Sequence, residues 1–385
     1  MKTFITTLIL VSVSYFSYSQ NFETLSFGTD TTLDIVTWNI ETFPKNGNTT
    51  TNYVRDILSH LEADVIAIQE VDDITVFNTL VSQLTGYTGE LSTSYFAGLA
   101  YIYNPSTIEF KDYYEIYTTS PYWNSFPRAP KVLEFTYKGN EFAVINNHLK
   151  CCGDGYLDTT STDDEEHRRY MAAILLKLYI DQNLFDKHVI VTGDMNDELT
   201  DAYANNIFRH FLDNPGSYSF ADMTIATGAS AGWSYPSWPS HLDHFLINQE
   251  LYDDMENPNS LCEVIKVDSY FTSWTNYDNN VTDHRPVGLR IDVNEHIGIS
   301  EQGNVEQVVV MFPNPVNDFI RIESRSAAIE SVYICDASGR RLATVVPGDA
   351  ALSTSIDLSA LAAGLYFAEL SLLDGSRHFR TLVKK

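Results

Sequence analysis

Four short apolar runs, each ending on a polar residue, constrain this chain most: LDIVTWN at 33–39, DVIAIQE at 64–70, EFAVINNH at 141–148 and HVIVTGDMN at 188–196. Runs this short and rich in Val and Ile read as buried strands. Helical spacing lies between them. Over 52–62, Val54, Ile57, Leu58 and Leu61 fall on one helix face, and over 163–180 Met171, Ile174, Leu175 and Leu178 do the same. Segments 98–103, 107–117 and 131–137 add strands, the last turning at Lys138-Gly139-Asn140 into 141–147, and 244–248 and 286–293 add two more. Strands that alternate with helices in places and pair through short turns in others predict a mixed α/β layered domain, not a parallel doubly wound sheet.

A strand end is held by the core, yet its last side chain emerges into a loop, so it fixes chemical groups accurately. The strand ends here carry Asn39, Glu70, His148, Asp194 and Asn196; HLDHF adds Asp243, and TDHRP adds Asp283 and His284. Singly, each has a structural reading: a turn amide, an N-cap or a packed imidazole. Together, carboxylates, amides and two histidines make a hard-metal phosphoester site. Mg²⁺ takes carboxylate and amide oxygens and keeps several waters, which suits Glu70, Asn39 and Asp283, whereas structural zinc would call for more His or Cys.

These motifs resemble, in order across 33–288, the endonuclease/exonuclease/phosphatase superfamily: Trp38-Asn39-Ile40, Ile68-Gln69-Glu70-Val71, Asn147-His148-Leu149, Gly193-Asp194-Met195-Asn196, Leu242-Asp243-His244 and Thr282-Asp283-His284-Arg285-Pro286. The resemblance implies a four-layer α/β/β/α sandwich, with two packed sheets and helices outside. It also implies roles. His284, oriented by Asp243, is the general base, with Asp194 as the other candidate for activating water. Glu70, Asn39 and Asp283 hold Mg²⁺ or Mn²⁺. Asn196 donates to a phosphoryl oxygen, and His148 contacts the phosphate and helps protonate the leaving oxygen.

Two places depart from the pattern. Many members carry an Arg before the orienting aspartate, where this chain reads Ser240-His241-Leu242-Asp243. That weakens the expectation of a nucleic-acid backbone contact there. The stretch LKCCGDGYLDTTSTDDEEHRR after His148 concentrates Asp154, Asp158, Asp163, Asp164, Glu165 and Glu166. It reads either as a solvated acidic loop or as a structural Ca²⁺ clamp without the EF-hand order. Arg168 and Arg169, which follow, are candidate phosphate contacts, a bidentate task suited to Arg, or partners of the same acidic run.

The ends address the chain. MKTFITTLILVSVSYFSYSQ at 1–20 has the grammar of a signal peptide, and its apolar run is shorter than the ~20 residues a membrane span needs. No later stretch reaches spanning length. The catalytic domain is expected at 21–293 and a linker at 294–304. At 305–385 a small all-β sandwich is expected, in which FPNPVNDFIRI, DASGRRL and LAAGLYF resemble the C-terminal sorting domain of the Bacteroidetes type IX secretion route. That resemblance implies engagement with the secretion machinery and release to the cell surface or medium. Cys151, Cys152, Cys262 and Cys335 fit one or two bridges or free thiols, and with no CxxC pair they are not expected to bind metal.

Charge narrows the function. Of 51 acidic and 24 basic residues, 41 and 15 lie in 21–300, so a basic groove that binds duplex DNA by releasing counterions is disfavoured. The leading expectation is a secreted, divalent-metal-dependent phosphodiesterase, a nuclease acting on extracellular DNA or RNA as a monomer. Trp123, Trp233 and Trp238, in loops of Ser, Pro and Gly, read as base-stacking platforms or as loop anchors. A phosphatase or sphingomyelinase-like enzyme acting on a small or lipid phosphoester is the alternative. A non-enzymatic surface module is the third reading, and it predicts strand-end polar residues scattered in space.

Overall fold

The computed structural model describes residues 21–91, 98–294, 309–325, 327–336, 340–348, 351–374 and 376–385. The leader at 1–20 and the linker beyond Asn294 lie outside the described residues. Up to Asn294 the strands form two six-stranded sheets. The first has the order β11-β12-β1-β2-β4-β3, built from β1 (Leu33–Phe43), β2 (Val65–Val71), β3 (Thr88–Leu91), β4 (Ala100–Tyr103), β11 (Leu261–Val264) and β12 (Val287–Ile291). The second has the order β5-β6-β7-β8-β10-β9, built from β5 (Glu109–Glu115), β6 (Lys131–Tyr137), β7 (Asn140–His148), β8 (His188–Asp194), β9 (Tyr218–Phe220) and β10 (Asp243–Asn248).

Each sheet contains one parallel pair, made by a helical crossover: β1 to β2 through α1 (Asn48–Leu61), and β7 to β8 through α3 (Glu165–Asn183). A shorter helix, α2 (Ile74–Ser82), follows β2. Alternation along the strands divides the core into three. Ile35, Val65, Tyr101, Leu133, Val144, Ile190, Phe245 and Leu289 fill the space between the sheets. Val36, Trp38 and Ile40 turn the other way, onto Val54, Ile57, Leu58 and Leu61 of α1. Ala143, Ile145, Val189 and Val191 pack on α3. Four layers follow from that arrangement, and both faces of each parallel pair are buried, as their near-continuous apolar sequences require.

Polar groups also tie the sheets together. Gln69 donates to Asn146 Oδ1 across the seam at 2.7 Å, and Asn146 donates to the carbonyls of Ile68 and Ala100 at 3.0 Å each. The Tyr101 hydroxyl donates to the carbonyl of Val144 at 2.7 Å. These buried groups are paired, so they fix how the two sheets sit without a desolvation penalty.

The C-terminal strands form a sheet β13-β14-β17 (Val309–Phe312, Phe319–Ser324, Ser353–Asp357) and a sheet β16-β15-β18-β19 (Arg341–Val345, Ile329–Cys335, Gly364–Leu372, Arg377–Lys384). They close on Val309, Ile320, Val332, Ile334, Ile356 and Leu370. Gln182 of α3 donates to Thr381 of β19 at 3.1 Å. All four cysteines are free thiols; the adjacent Cys151 and Cys152 have sulfurs 2.8 Å apart, an S–H···S contact, and neither meets Cys262. No helix among the described residues is long and apolar enough to cross a membrane.

Candidate active site

The strand ends expected to carry chemistry converge. Register sets His148 opposite Asp194 in the parallel pair β7/β8, and Asp243 opposite Asp194 in the antiparallel pair β8/β10. On the first sheet Asn39 lies opposite Gln69, and Glu70 follows. The register of β1/β2 shifts between Asn39 and Phe43, where Glu41 and Thr42 take φ of 36° and 45°. This bulge turns the Thr42 N–H onto Glu70 Oε2 at 2.9 Å and the Glu41 N–H onto Asn39 Oδ1 at 2.9 Å. Glu70 and Asn196 also adopt left-handed backbone, φ 64° and 54°, a conformation costly for non-glycine residues and concentrated at functional sites.

Asp194 Oδ2 is the hub. Asn39 Nδ2 donates to it at 2.9 Å, His148 Nε2 lies 3.6 Å away and His284 Nε2 lies 3.8 Å away. The other nitrogen of His284, Nδ1, is 2.8 Å from Asp243 Oδ2, and Asp283 Oδ1 is 3.9 Å from Nε2. Burial alone would depress the His284 pKa, but Asp243 and then Asp194 outweigh it and push it up to about 10. Burial pushes Asp194 up to about 6 against the pull of His284. Burial holds His148 well below its ordinary value, with Arg128 and His284 adding to the effect, so its ring is neutral. The backbone of His284 is pinned by Tyr277, whose hydroxyl donates to its carbonyl at 2.7 Å, and by Trp38 Nε1 at 3.3 Å. The ring of Tyr235 packs on its imidazole with centroids 4.8 Å apart.

Carboxylates outnumber cations here, and that excess fits a hard divalent metal. Glu70, His148 and Asp194 each offer an atom within 4.8 Å of the others. Glu70 and Asp283 have half-buried side chains, at 24% exposure each, so both face an opening. Glu41 is balanced by Lys45, which also pairs with Asp278 at 2.9 Å. Asn39 is expected as a metal ligand, and its side chain is held by contacts on both of its polar atoms. A backbone N–H can only donate, so the Glu41 contact fixes Oδ1 away from Glu70, and the amide nitrogen bridges Glu70 Oε1 at 3.0 Å and Asp194. Asn39 orients two carboxylates in this arrangement.

Asn196 holds its place through its backbone N–H on Asp194 Oδ1, 3.0 Å, and its side-chain amide on the Leu149 carbonyl, 3.3 Å. Arg169 is not at the site's surface. It is 3% exposed, with Nε on Asp197 at 2.6 Å and Nη1 on the carbonyls of Lys150 and Cys152 at 2.7 Å each, so it presents no face to a phosphate. Arg168 donates to the Asn124 carbonyl at 2.7 Å. His241, where many members carry an arginine just before the orienting aspartate, is buried 3.0 Å from Asp222, whose carboxylate also meets His244 Nδ1 at 2.6 Å. Sequence reasoning missed Glu41, Arg128 and Tyr235. Glu41 had a signal, because residues two apart on a strand share a face with Asn39. A cavity of 780 Å³ between α3 and the C-terminal strands, lined by Asp181, Phe367 and Arg380 among others, includes none of the candidate site residues. The converged chemistry, not the cavity, locates the site.

Comparison with known proteins identifies the families of the two parts of the chain. The model of the Endonuclease/Exonuclease/phosphatase family matches residues 36–284, and that of the Secretion system C-terminal sorting domain matches residues 310–385. No curated protein matches the chain. Among solved structures, D. rerio TDP2 complexed with single strand DNA product is 14% identical, with a TM-score of 0.50 over 69% of this chain and 100% of that one. An endonuclease/exonuclease/phosphatase from Bacteroides vulgatus is 17% identical (TM-score 0.49; 69% and 100% covered). The human Nocturnin catalytic domain with bound sulfate anion is 15% identical (TM-score 0.47; 68% and 94% covered). At such identity the first of these likenesses speaks to the fold alone.

Proposed function

The chain belongs to the endonuclease/exonuclease/phosphatase family, and from that premise we propose that it is an exported phosphodiesterase that hydrolyses single-stranded DNA or RNA outside the cell. It is a phosphoric ester hydrolase by family, and its C-terminal sorting domain marks it for secretion. The observation that carries the reading is the line Asp243–His284–Asp194, with contacts of 2.8 Å and 3.8 Å, facing Glu70 and Asp283.

Between the two candidates for activating water, we assign the role to Asp194 from the direction of the two pKa shifts. A base works best when its pKa lies near the operating pH, and Asp194, at about 6, meets that condition while His284, at about 10, is already protonated. The water oxygen attacks phosphorus and its proton passes to Asp194. His284, kept charged by Asp243, donates from Nε2 to a phosphoryl oxygen and stabilises the charge that gathers there. The ester oxygen leaves with the bonding electrons and is protonated by solvent. His148 and Asn196 flank the phosphate as neutral hydrogen-bonding groups. Mg²⁺ or Mn²⁺ held by Glu70 and Asp283 would supply charge neutralisation at the phosphoryl and leaving oxygens.

Substrate choice rests on the rim. Trp238 is 77% exposed, three residues from the Tyr235 ring that packs on His284, and Trp123 is 59% exposed near Arg168. Exposed aromatics beside a phosphate site stack unpaired bases without needing a basic groove. A small or lipid phosphoester is the second reading, favoured by one observation: Lys45, Arg169 and Arg285 are all engaged in internal ion pairs. Export by a leader cleaved near residue 20, and action as a monomer, belong to the same proposal. The mature protein, incubated with single- and double-stranded DNA, RNA, an inositol phosphate and sphingomyelin in Mg²⁺, Mn²⁺ or chelator, tests it. Cleavage of single strands in metal only is expected; equal rates in chelator would sink the mechanism, and turnover of the small esters alone would replace the substrate.

A further inference from the structure

The acidic loop after β7 folds back onto the first turn of α3. There Asp154, Asp164 and Glu166 each present a carboxylate oxygen within 4.8 Å of the other two. Glu166 is the unusual member. It is 3% exposed; its Oε1 accepts the Gly155 N–H at 2.8 Å and lies 3.3 Å from Arg169 Nη2, but its buried Oε2 has no hydrogen-bond partner among the described residues. A buried ionised oxygen without a partner is strongly unfavourable unless something positive completes it. The backbone makes room for that carboxylate: Gly153 has φ +111°, and a Cβ there would come 2.1 Å from Oε1 and 2.5 Å from Oε2.

The other two carboxylates are half engaged. Asp154 Oδ1 accepts the Tyr156 N–H at 3.0 Å, and Asp164 Oδ1 caps α3 by accepting the His167 N–H at 2.7 Å. Their remaining oxygens are available to a cation. Arg169 does not complete Oε2, because its Nη2 contact lies on Oε1 and its Nε is held by Asp197 at 2.6 Å. The donors are all oxygen and sit on an irregular loop, which suits Ca²⁺, with its six to eight oxygens in flexible geometry, better than octahedral Mg²⁺ or nitrogen- and sulfur-seeking Zn²⁺.

We propose that Asp154, Asp164 and Glu166 form a structural calcium site, separate from the Glu70 centre. Its effect on the enzyme follows from Arg169, which links Glu166 to the carbonyls of Lys150 and Cys152, just past His148, and to Asp197, just past Asn196. Calcium fixes the loop, and through Arg169 it fixes the two segments that carry His148 and Asn196.

The test is melting of the full-length chain with Ca²⁺ or Mg²⁺, together with calorimetric titration of Ca²⁺, for the native protein and for Asp154→Asn, Asp164→Asn and Glu70→Ala. Asp154→Asn alters an exposed turn and Asp164→Asn retains the cap, so both are expected to fold. Saturating Ca²⁺ should raise the native melting temperature by about 5 °C, and Glu70→Ala should keep that shift. Both amide variants should lose most of it and bind Ca²⁺ at least tenfold more weakly. Absence of Ca²⁺ binding by the native chain, unchanged affinity in both amide variants, or loss of the shift in Glu70→Ala alone would overturn the site.

Discussion

His284 stands between two carboxylates, its Nδ1 2.8 Å from Asp243 and its Nε2 3.8 Å from Asp194. That position raises the pKa of His284 and, in the proposed mechanism, leaves Asp194 to take the proton of the attacking water. The pH profile of kcat/KM should therefore rise as Asp194 ionises, hold a plateau, and fall at higher pH as His284 loses its proton. A profile that climbs steadily to pH 10 would reverse the two roles.

Asp243→Asn removes the main support of the imidazolium. We predict that kcat falls by about 10²- to 10⁴-fold with KM nearly unchanged. Stability carries a second signature. The pKa of His284 is raised from 6.5 to about 10 on folding, so its contribution is fully present below pH 6.5 and is lost as pH rises toward 10. Melting temperatures of native and variant should thus converge between those limits; a gap constant with pH would contradict the pairing.

Glu70 is one of the two proposed metal carboxylates with solvent access, and its oxygens are positioned by Asn39 and the Thr42 N–H. Chelation should abolish turnover, and restoring Mg²⁺ or Mn²⁺ should recover it. Glu70→Ala should leave melting within about 1 kcal/mol of native, as for partly exposed side chains generally, while raising the metal concentration for half-maximal activity by at least about tenfold, one broken contact of ~1.4 kcal/mol. Full activity of this variant at native metal concentrations would remove Glu70 from the site.

Arg169 separates a structural role from phosphate binding. With Glu166 at 3.3 Å and Asp197 at 2.6 Å, it closes a buried network. Arg169→Met should cost about 3–5 kcal/mol in urea unfolding, the range for removing one partner of a buried ion pair. A phosphate clamp would behave oppositely, raising KM while leaving the unfolding midpoint in place.

Trp238, 77% exposed, tests the substrate. Trp238→Ala should change stability by less than about 0.5 kcal/mol and raise KM for single-stranded DNA about 5- to 100-fold, the equivalent of one lost stacking contact. Hydrolysis of a small chromogenic diester should be untouched. Equal loss on both substrates would make the indole an anchor of the loop.

Much of the site was legible because strand ends announce themselves: an apolar run that stops at Asn39, Glu70, His148 or Asp194 marks both the core and the group it holds. Two parallel crossovers then bring those ends to one edge of the sandwich. The orientation of Asn39 was not legible, because it depends on a bulge at Glu41 and Thr42 that no residue type requires. Arg169 reads from sequence as a phosphate contact or as a partner of the acidic run; it pairs with Glu166 of that run, whereas its contact with Asp197, 28 residues away, was not legible. Strands β3, β9 and β11, of three or four residues, carry no period to detect. Tyr235 sits in a loop whose path is set by long-range contacts, its bridge to Ser240 and the Arg285 N–H on the Ser234 carbonyl among them.

The sheets are also interleaved along the chain, and this sets an order of events. The first sheet opens with β1, is interrupted by every strand of the second, and closes only when Val287 of β12 pairs with Thr37 of β1. Asp283 and His284 arrive with that closing strand. A chain that emerges from N- to C-terminus therefore carries Asn39, Glu70, His148, Asp194 and Asp243 before it carries Asp283 and His284. In the proposed mechanism, a product truncated before Asp283 lacks the His284 donor and one of the two metal carboxylates, so it is expected to lose turnover however well its remaining strands fold.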